Sequence, residues 1–190
     1  MIDGTVGVDE AGRGCMIGRV YAAAVIWNPD IDSNEIKDSK KLSRKRQSAL
    51  RKYIETHAVC YGVGWASSEE IDALNISNAT FLAMHRALDQ VEQKGGRFDR
   101  ILVDGNRFQP YKCPHQCIVG GDNLHVNIAA ASILAKEHHD EWIDEEFKDD
   151  EKYDLLQNKG YGTKKHIEGI RVYGTTVHHR KLFCAKYTYF

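Results

Sequence analysis

Two apolar, β-branched segments near the N-terminus, Thr5 to Val8 and Arg19 to Trp27, are separated by a glycine-rich connection, and a chain that starts this way has to begin folding as β-sheet. The longest apolar run, Val20 to Trp27, is far shorter than the ~20 residues a membrane-spanning helix needs, so it reads as a buried strand. Val59 to Ala66, Ile101 to Val103 and Cys117 to Val119 read as further strands. The last two end at Asp104-Gly105 and at Gly120-Gly121-Asp122. Helical patterns lie between them. One runs from a Ser43 N-cap to His57, and a second places Phe81, Met84, Leu88 and Val91 on one face and stops at Gly95-Gly96. A third starts near His125 with the small residues Ala129 to Ser132 and continues past Trp142 with an acidic outer face. The class is α/β with a mixed sheet.

At 190 residues, with 42% hydrophobic content and three prolines, the chain suits one compact domain spanning 1–190. No repeat or linker-like stretch interrupts it, and the segment from Asn158 to Phe190 reads as part of the same unit. The N-terminus lacks the basic start and apolar stretch of a signal peptide. Five scattered cysteines do not form a paired disulfide framework. A cytoplasmic protein that does not enter a membrane is expected.

With a formal net charge of −1, overall charge does not announce a nucleic-acid partner. Its distribution is uneven. Basic residues gather between Lys37 and Lys52 and again between Lys159 and Lys181, while acidic ones concentrate between Glu137 and Asp154. Such runs are usually solvated helix faces. Cys113, His115 and Cys117 are zinc-type ligands, but a structural zinc needs four and no second cluster stands near in sequence. His138-His139 and His178-His179 read as solvated histidines.

Asp9 and Asp104 each follow an apolar strand and precede a glycine-containing loop, the edge at which open α/β sheets bind ligands. Asp before Gly commonly just starts a turn. Asp9-Glu10 is harder to dismiss, because two carboxylates close to a core are costly unless something neutralises them, and a cation can. Hard cations such as magnesium take oxygen ligands, and a two-metal phosphodiesterase needs about four acidic groups. Asp9, Glu10, Asp104 and Asp122 supply that number. Adjacent strand residues face opposite ways, so Asp9 and Glu10 can share a site only if regular strand geometry has ended by Glu10.

The string Gly7-Val8-Asp9-Glu10-Ala11-Gly12-Arg13-Gly14 resembles the opening signature of the ribonuclease HII family, a branch of the ribonuclease H-like fold. Further matches follow in the family's order: Asp38 to Ser43, Leu74 to Thr80, Val103 to Arg107, Gly121-Asp122, Ala129 to Lys136, Lys159 to Lys164 and His179-Arg180. The resemblance covers nearly the whole chain. It implies a mixed five-stranded sheet flanked by helices, with a small helical C-terminal part over about 155–190.

It also implies an endonuclease that hydrolyses the RNA strand of RNA/DNA hybrids and cuts 5′ of single ribonucleotides in duplex DNA. Two Mg2+ or Mn2+ ions would be held by Asp9, Glu10, Asp104 and Asp122, and the ends left would be 5′-phosphate and 3′-hydroxyl. Gly12, Arg13 and Gly14 match the loop whose backbone reads the 2′-hydroxyl, and Tyr161 the tyrosine that stacks on the following deoxyribose. Lys40, Lys41, Lys164 and Arg180 are implied phosphate contacts. The partners are hybrid and ribonucleotide-containing duplex, bound by a monomer. Cys15 stands where the family usually has proline, which implies a less rigid loop and slower or looser recognition. The segment Asp122 to Asn127 is also less typical, and the end soon after Phe183 implies that a partner-clamp extension is lacking.

Two rival readings fit these residues less well. A binding module without chemistry would do better without four acids beside a phosphate backbone. Ribonuclease HIII carries similar acids, but it has an extra N-terminal domain and a different Gly-Arg-Gly loop, whereas this chain begins directly at its first strand.

Overall fold

The structure, a computed structural model, describes residues 4–37 and 44–188. Its strands are β1 (Thr5–Ala11), β2 (Val20–Ile26), β3 (Cys60–Ala66), β4 (Arg100–Asp104) and β5 (His115–Ile118), forming one sheet in the order β3-β2-β1-β4-β5. β1, β2 and β3 make an antiparallel meander, and β4 and β5 run parallel to β1. The helices are α1 (Asn34–Lys37), α2 (Arg44–His57), α3 (Ser68–Leu74), α4 (Ile76–Gln93), α5 (Val126–Glu146), α6 (Leu155–Asn158), α7 (Lys164–Tyr173) and α8 (Lys181–Cys184). The mixed five-stranded sheet flanked by helices is the one the sequence implies.

Side-chain alternation divides the sheet between two helices. Val6 and Val8 of β1, Ala22, Ala24 and Ile26 of β2, and Ile101 and Val103 of β4 share a core with α4. Ala23 and Val25 of β2 face the other way, into a core with the alanines of α5. Of the small residues expected to let α5 lie close, Ala129, Ala130 and Ala131 are buried there and Ser132 is partly buried. A third cluster, built on Met16, Ile17, Ile143, Tyr153 and Ile170, joins α7 and α8 to α5 and to the connection between β1 and β2.

Three local expectations change. The fifth predicted strand begins earlier, at His115, and stops at Ile118, so Val119 falls in a turn. α3 had no counterpart in the periodicity. It is started by a capping box in which Ser67 accepts from the Glu70 N–H and Glu70 accepts from the Ser67 N–H. The basic and acidic runs, read as separate solvated faces, also meet each other. Arg51 of α2 pairs with Glu141 of α5 at 2.8 Å, and Ser48 donates to Glu137 at 2.7 Å.

The sheet edge at β3 is closed by α4. Glycines at 62 and 64 let the helix approach so closely that a Cβ at Gly64 would lie 2.3 Å from the Ala83 carbonyl oxygen. From that distance Arg86, Gln90 and Lys94, spaced one helical turn apart, reach over the edge. Arg86 donates to the Trp65 carbonyl (2.7 Å), Gln90 accepts from the Val63 N–H (3.2 Å) and Lys94 donates to the Tyr61 carbonyl (2.9 Å). These three residues are alternate ones, the set whose polar groups point away from β2. Arg86 is itself held by Glu70, at 2.7 and 2.9 Å.

Gly64→Ala should therefore destabilise the protein by about 2–3 kcal/mol, since the added methyl meets backbone that cannot step aside. Chemical denaturation measures this as a lowered midpoint at unchanged slope. A midpoint equal to that of the parent protein would mean that α4 does not sit this close.

Candidate active site

The register of β1 against β4 decides which acids can meet. Val8 pairs with Val103, and both face the α4 core, so the residues that follow them, Asp9 and Asp104, lie on the α5 face at neighbouring strand ends. Asp9 is only 6% exposed. The Ser132 hydroxyl of α5 hydrogen-bonds its carboxylate, and its Oδ1 also accepts the Glu10 N–H at 2.7 Å. The Asp104 Oδ1 accepts the N–H of Gly121 at 2.7 Å, which brings the next residue, Asp122, to the same rim in a 3-10 turn at Gly121–Asn123.

Glu10 departs from expectation. Regular strand pairing does not end there, because Glu10 pairs with Ala22 and Ala11 with Tyr21, yet the Glu10 carboxylate stays near enough for its charge to act on Asp9 and that of Asp104 to act on it. The chain bends only at Gly12, whose φ of +83° belongs to the left-handed region. The Glu10 carboxylate meets Arg13 at 3.1 Å instead.

Burial, and after it the charge of Glu10 and more weakly that of Asp104, pushes the Asp9 carboxyl up to about 8. Burial raises Glu10 as well, with Arg13 opposing the rise and Asp104 adding to it. An acid in this setting is relieved either by a proton or by a cation, and an all-oxygen donor set suits a hard divalent ion. Among the described residues, however, no group of three or more His, Cys, Asp or Glu side chains already converges as a metal cage. At least one oxygen of each of the four acids is turned to a hydrogen-bond partner: the Glu10 N–H, Arg13, the Gly121 N–H and the Asn123 amide. Cys113, His115 and Cys117 form no such cage either.

The loop after β1 lies beside Tyr161. A Cβ at Gly14 would be 3.4 Å from the Tyr161 ring, Cys15 and Tyr161 form an isolated β-bridge, and the tyrosine is 48% exposed. Arg13 and Gly14 are exposed, and so is Lys164 in the first turn of α7. Lys40 and Lys41 lie outside the described residues. Cys15, expected to loosen the loop, is fully buried, and its thiol donates to the Lys159 carbonyl at 3.3 Å. Burial pushes that thiol up to about 12, so it stays uncharged. The loop is pinned at this point.

Arg180 requires a correction. It was expected to contact phosphate, but it is 0% exposed and its guanidinium is committed to main chain. Nε donates to the Gly18 carbonyl (2.9 Å), Nη1 to that of Arg13 (2.9 Å) and Nη2 to that of Arg19 (3.0 Å). His139 and His179, read as solvated, are buried too. His139 packs under Gly12, where a Cβ would come within 2.5 Å of its ring. The His179 Nδ1 accepts the Thr176 N–H (3.0 Å), which leaves Nε2 to donate to the His166 Nε2 (3.2 Å); His166 in turn donates from Nδ1 to the Tyr161 carbonyl (3.0 Å). Sequence reasoning missed Ser132 and the three buried histidines His139, His166 and His179, since nothing local distinguishes them from packing or surface residues.

The Ribonuclease HII family model matches residues 6–189. Ribonuclease HII of Parabacteroides distasonis is 49% identical over 178 residues, covering 93% of this chain and 88% of that protein. Among solved structures, the ribonuclease HII of the PCNA:RNase HII complex from Archaeoglobus fulgidus superposes with a TM-score of 0.72 at 21% identity, over 93% of each chain. Bst-RNase HIII in complex with Mn2+ superposes with a TM-score of 0.65 at 20% identity, over 96% of this chain and 66% of the other. At these identities the two structures speak to the fold.

The imidazole pair yields a pH prediction. Burial, together with the neighbouring ring, depresses His179 to about 3 against an ordinary 6.5. Between those values the unfolded chain binds a proton that the folded one does not. The contribution of His179 to stability is therefore complete above pH ~6.5 and falls as the pH drops toward ~3. In NMR titrations the His179 ring should keep neutral-form shifts down to pH ~5, and the His166 ring should titrate below its ordinary 6.5. A midpoint near 6.5 for either ring would contradict the buried arrangement.

Proposed function

The chain belongs to the ribonuclease HII family of metal-dependent endonucleases acting on RNA/DNA hybrids, and from that we propose that it also cuts 5′ of a single ribonucleotide embedded in duplex DNA. The products carry 5′-phosphate and 3′-hydroxyl ends. The observation that carries this reading is the contact between the Gly12–Gly14 loop and the exposed Tyr161 ring, next to the strand ends that bear Asp9 and Asp104. Backbone groups of the exposed Arg13–Gly14 segment can hydrogen-bond one 2′-hydroxyl, which is what distinguishes RNA from DNA at that sugar. The Tyr161 ring packs on the next sugar, where a second hydroxyl would crowd it. Together the two contacts read a junction from ribose to deoxyribose.

Asp9, Glu10, Asp104 and Asp122 would hold two Mg2+ or Mn2+ ions, which when bound supply Lewis acidity to the scissile phosphate and the attacking water. The protein's own part is positional. Ser132 holds the Asp9 carboxylate, the Gly121 N–H holds that of Asp104, and Arg13 partly offsets the charge of Glu10. Lys40, Lys41 and Lys164 serve the phosphate backbone, a sequence-independent role. The enzyme acts as a monomer, one catalytic unit over 1–190, in the cytoplasm. No described helix is long and apolar enough to cross a membrane.

Asp9→Asn or Asp104→Asn should remove cleavage while leaving hybrid binding largely intact, and chelation should stop the reaction until magnesium or manganese is returned. A folded Asp104→Asn protein that turns over near the parent rate would rule out the site. On an otherwise all-DNA duplex with one ribonucleotide, Tyr161→Ala should damage cleavage severely and Tyr161→Phe much less. Cleavage only of runs of ribonucleotides would replace this reading with one like ribonuclease HIII.

A further inference from the structure

His179 and Arg180 are adjacent in sequence, both buried, and they reach in different directions. The Arg180 fork closes on the carbonyls of Arg13, Gly18 and Arg19, gathering both ends of the connection between β1 and β2. His179 works through His166 and ends on the carbonyl of Tyr161. Main-chain bonds complete the joint. Arg180 N–H donates to the Met16 carbonyl at 2.9 Å, and Met16 N–H donates to the Gly160 carbonyl at 2.8 Å. The loop therefore lies between the segment that carries Tyr161 and the segment that carries His179 and Arg180, with bridges at Cys15↔Tyr161 and Ile17↔His179.

We propose that His179 and Arg180 together form the positioning element that fixes the spacing between the Gly12–Gly14 loop and the Tyr161 ring, and so determine selectivity for a single ribonucleotide. The inference rests on the proposed reading of that loop and ring as the junction reader. A lone ribonucleotide offers one 2′-hydroxyl, so both contacts must be met in one register. A run of ribonucleotides offers several. Loss of spacing by about 1 Å can lower a rate on the order of a hundredfold when only one geometry is productive. The same loss is diluted when neighbouring registers can be tried. Lysine at 180 keeps the charge but not the fork, so it cannot serve three carbonyls in fixed directions. His166→Phe keeps a ring in the cavity and removes only the link between His179 and Tyr161.

The test compares the full-length protein with Arg180→Lys and with His166→Phe, in magnesium, at a temperature where each is shown by circular dichroism to be folded. kcat and KM are measured on two duplexes, one with a single ribonucleotide in DNA and one with an all-RNA strand opposite DNA. The expected result is that kcat/KM on the single ribonucleotide falls at least tenfold further than on the RNA strand in each variant. A structural role alone would lower both values by the same factor, and an unchanged ratio overturns the inference. Should Arg180→Lys not fold, the ratio for His166→Phe decides alone. A parent protein that cuts the RNA strand but not the single ribonucleotide sinks the junction reading itself, and this inference with it. A parent that cuts both, beside variants with an unchanged ratio, sinks the positioning role only.

Discussion

The site depends on how closely α5 lies against β1. A Cβ at Gly7 would stand 2.3 Å from the main chain of Asn127, so helix and strand touch backbone to backbone at that point. From there the two elements advance at matched rates. Two strand residues cover ~6.6 Å and four helical residues ~6 Å, which is the step from Gly7 beside Ile128 to Asp9 beside Ser132. Three further strand positions, ~10 Å, match seven helical ones at ~10.5 Å, and Gly12 indeed meets His139. Packing, carboxylate support and loop geometry are thus set by one alignment. A bulkier residue at 7 would displace all of them together. Asn127 fixes the starting point by accepting from the Trp27 N–H and donating to the Thr5 carbonyl.

How much of this was legible depends on whether the cause is local. Strand ends carrying Asp9 and Asp104 could be read directly, because an apolar β-branched run followed by an acid and glycine is a local pattern. The small-residue start of α5 was legible for the same reason. Glu10 was not, since whether a strand continues depends on its partner, and β2 goes on pairing through Tyr21. Arg180, His139 and His179 were misread because composition assigns charged and polar residues to the surface. Only the fold shows that carbonyls of one loop or a second imidazole wait inside to receive them. α3 could have been found from Ser67-x-x-Glu70, whose capping pattern is local.

With 26 basic and 27 acidic residues, the chain has little net field, and part of its apparent asymmetry is consumed internally where α2 meets α5. A half-exposed pair such as Arg51–Glu141 contributes at most modestly to stability. Its effect is rather to remove Arg51 from the surface that a phosphate backbone could use. Arg13 and Lys164, near Tyr161, stay exposed.

The way α4 closes the β3 edge has a kinetic side. A strand from another molecule can pair there only after Arg86, Gln90 and Lys94 have let go, so three hydrogen bonds break before the first new one forms. At about 1 kcal/mol each, the added barrier is on the order of 3 kcal/mol, or about a hundredfold in rate. The edge is therefore guarded in time as well as in energy, by side chains that belong to the same fold and need no partner to put them in place.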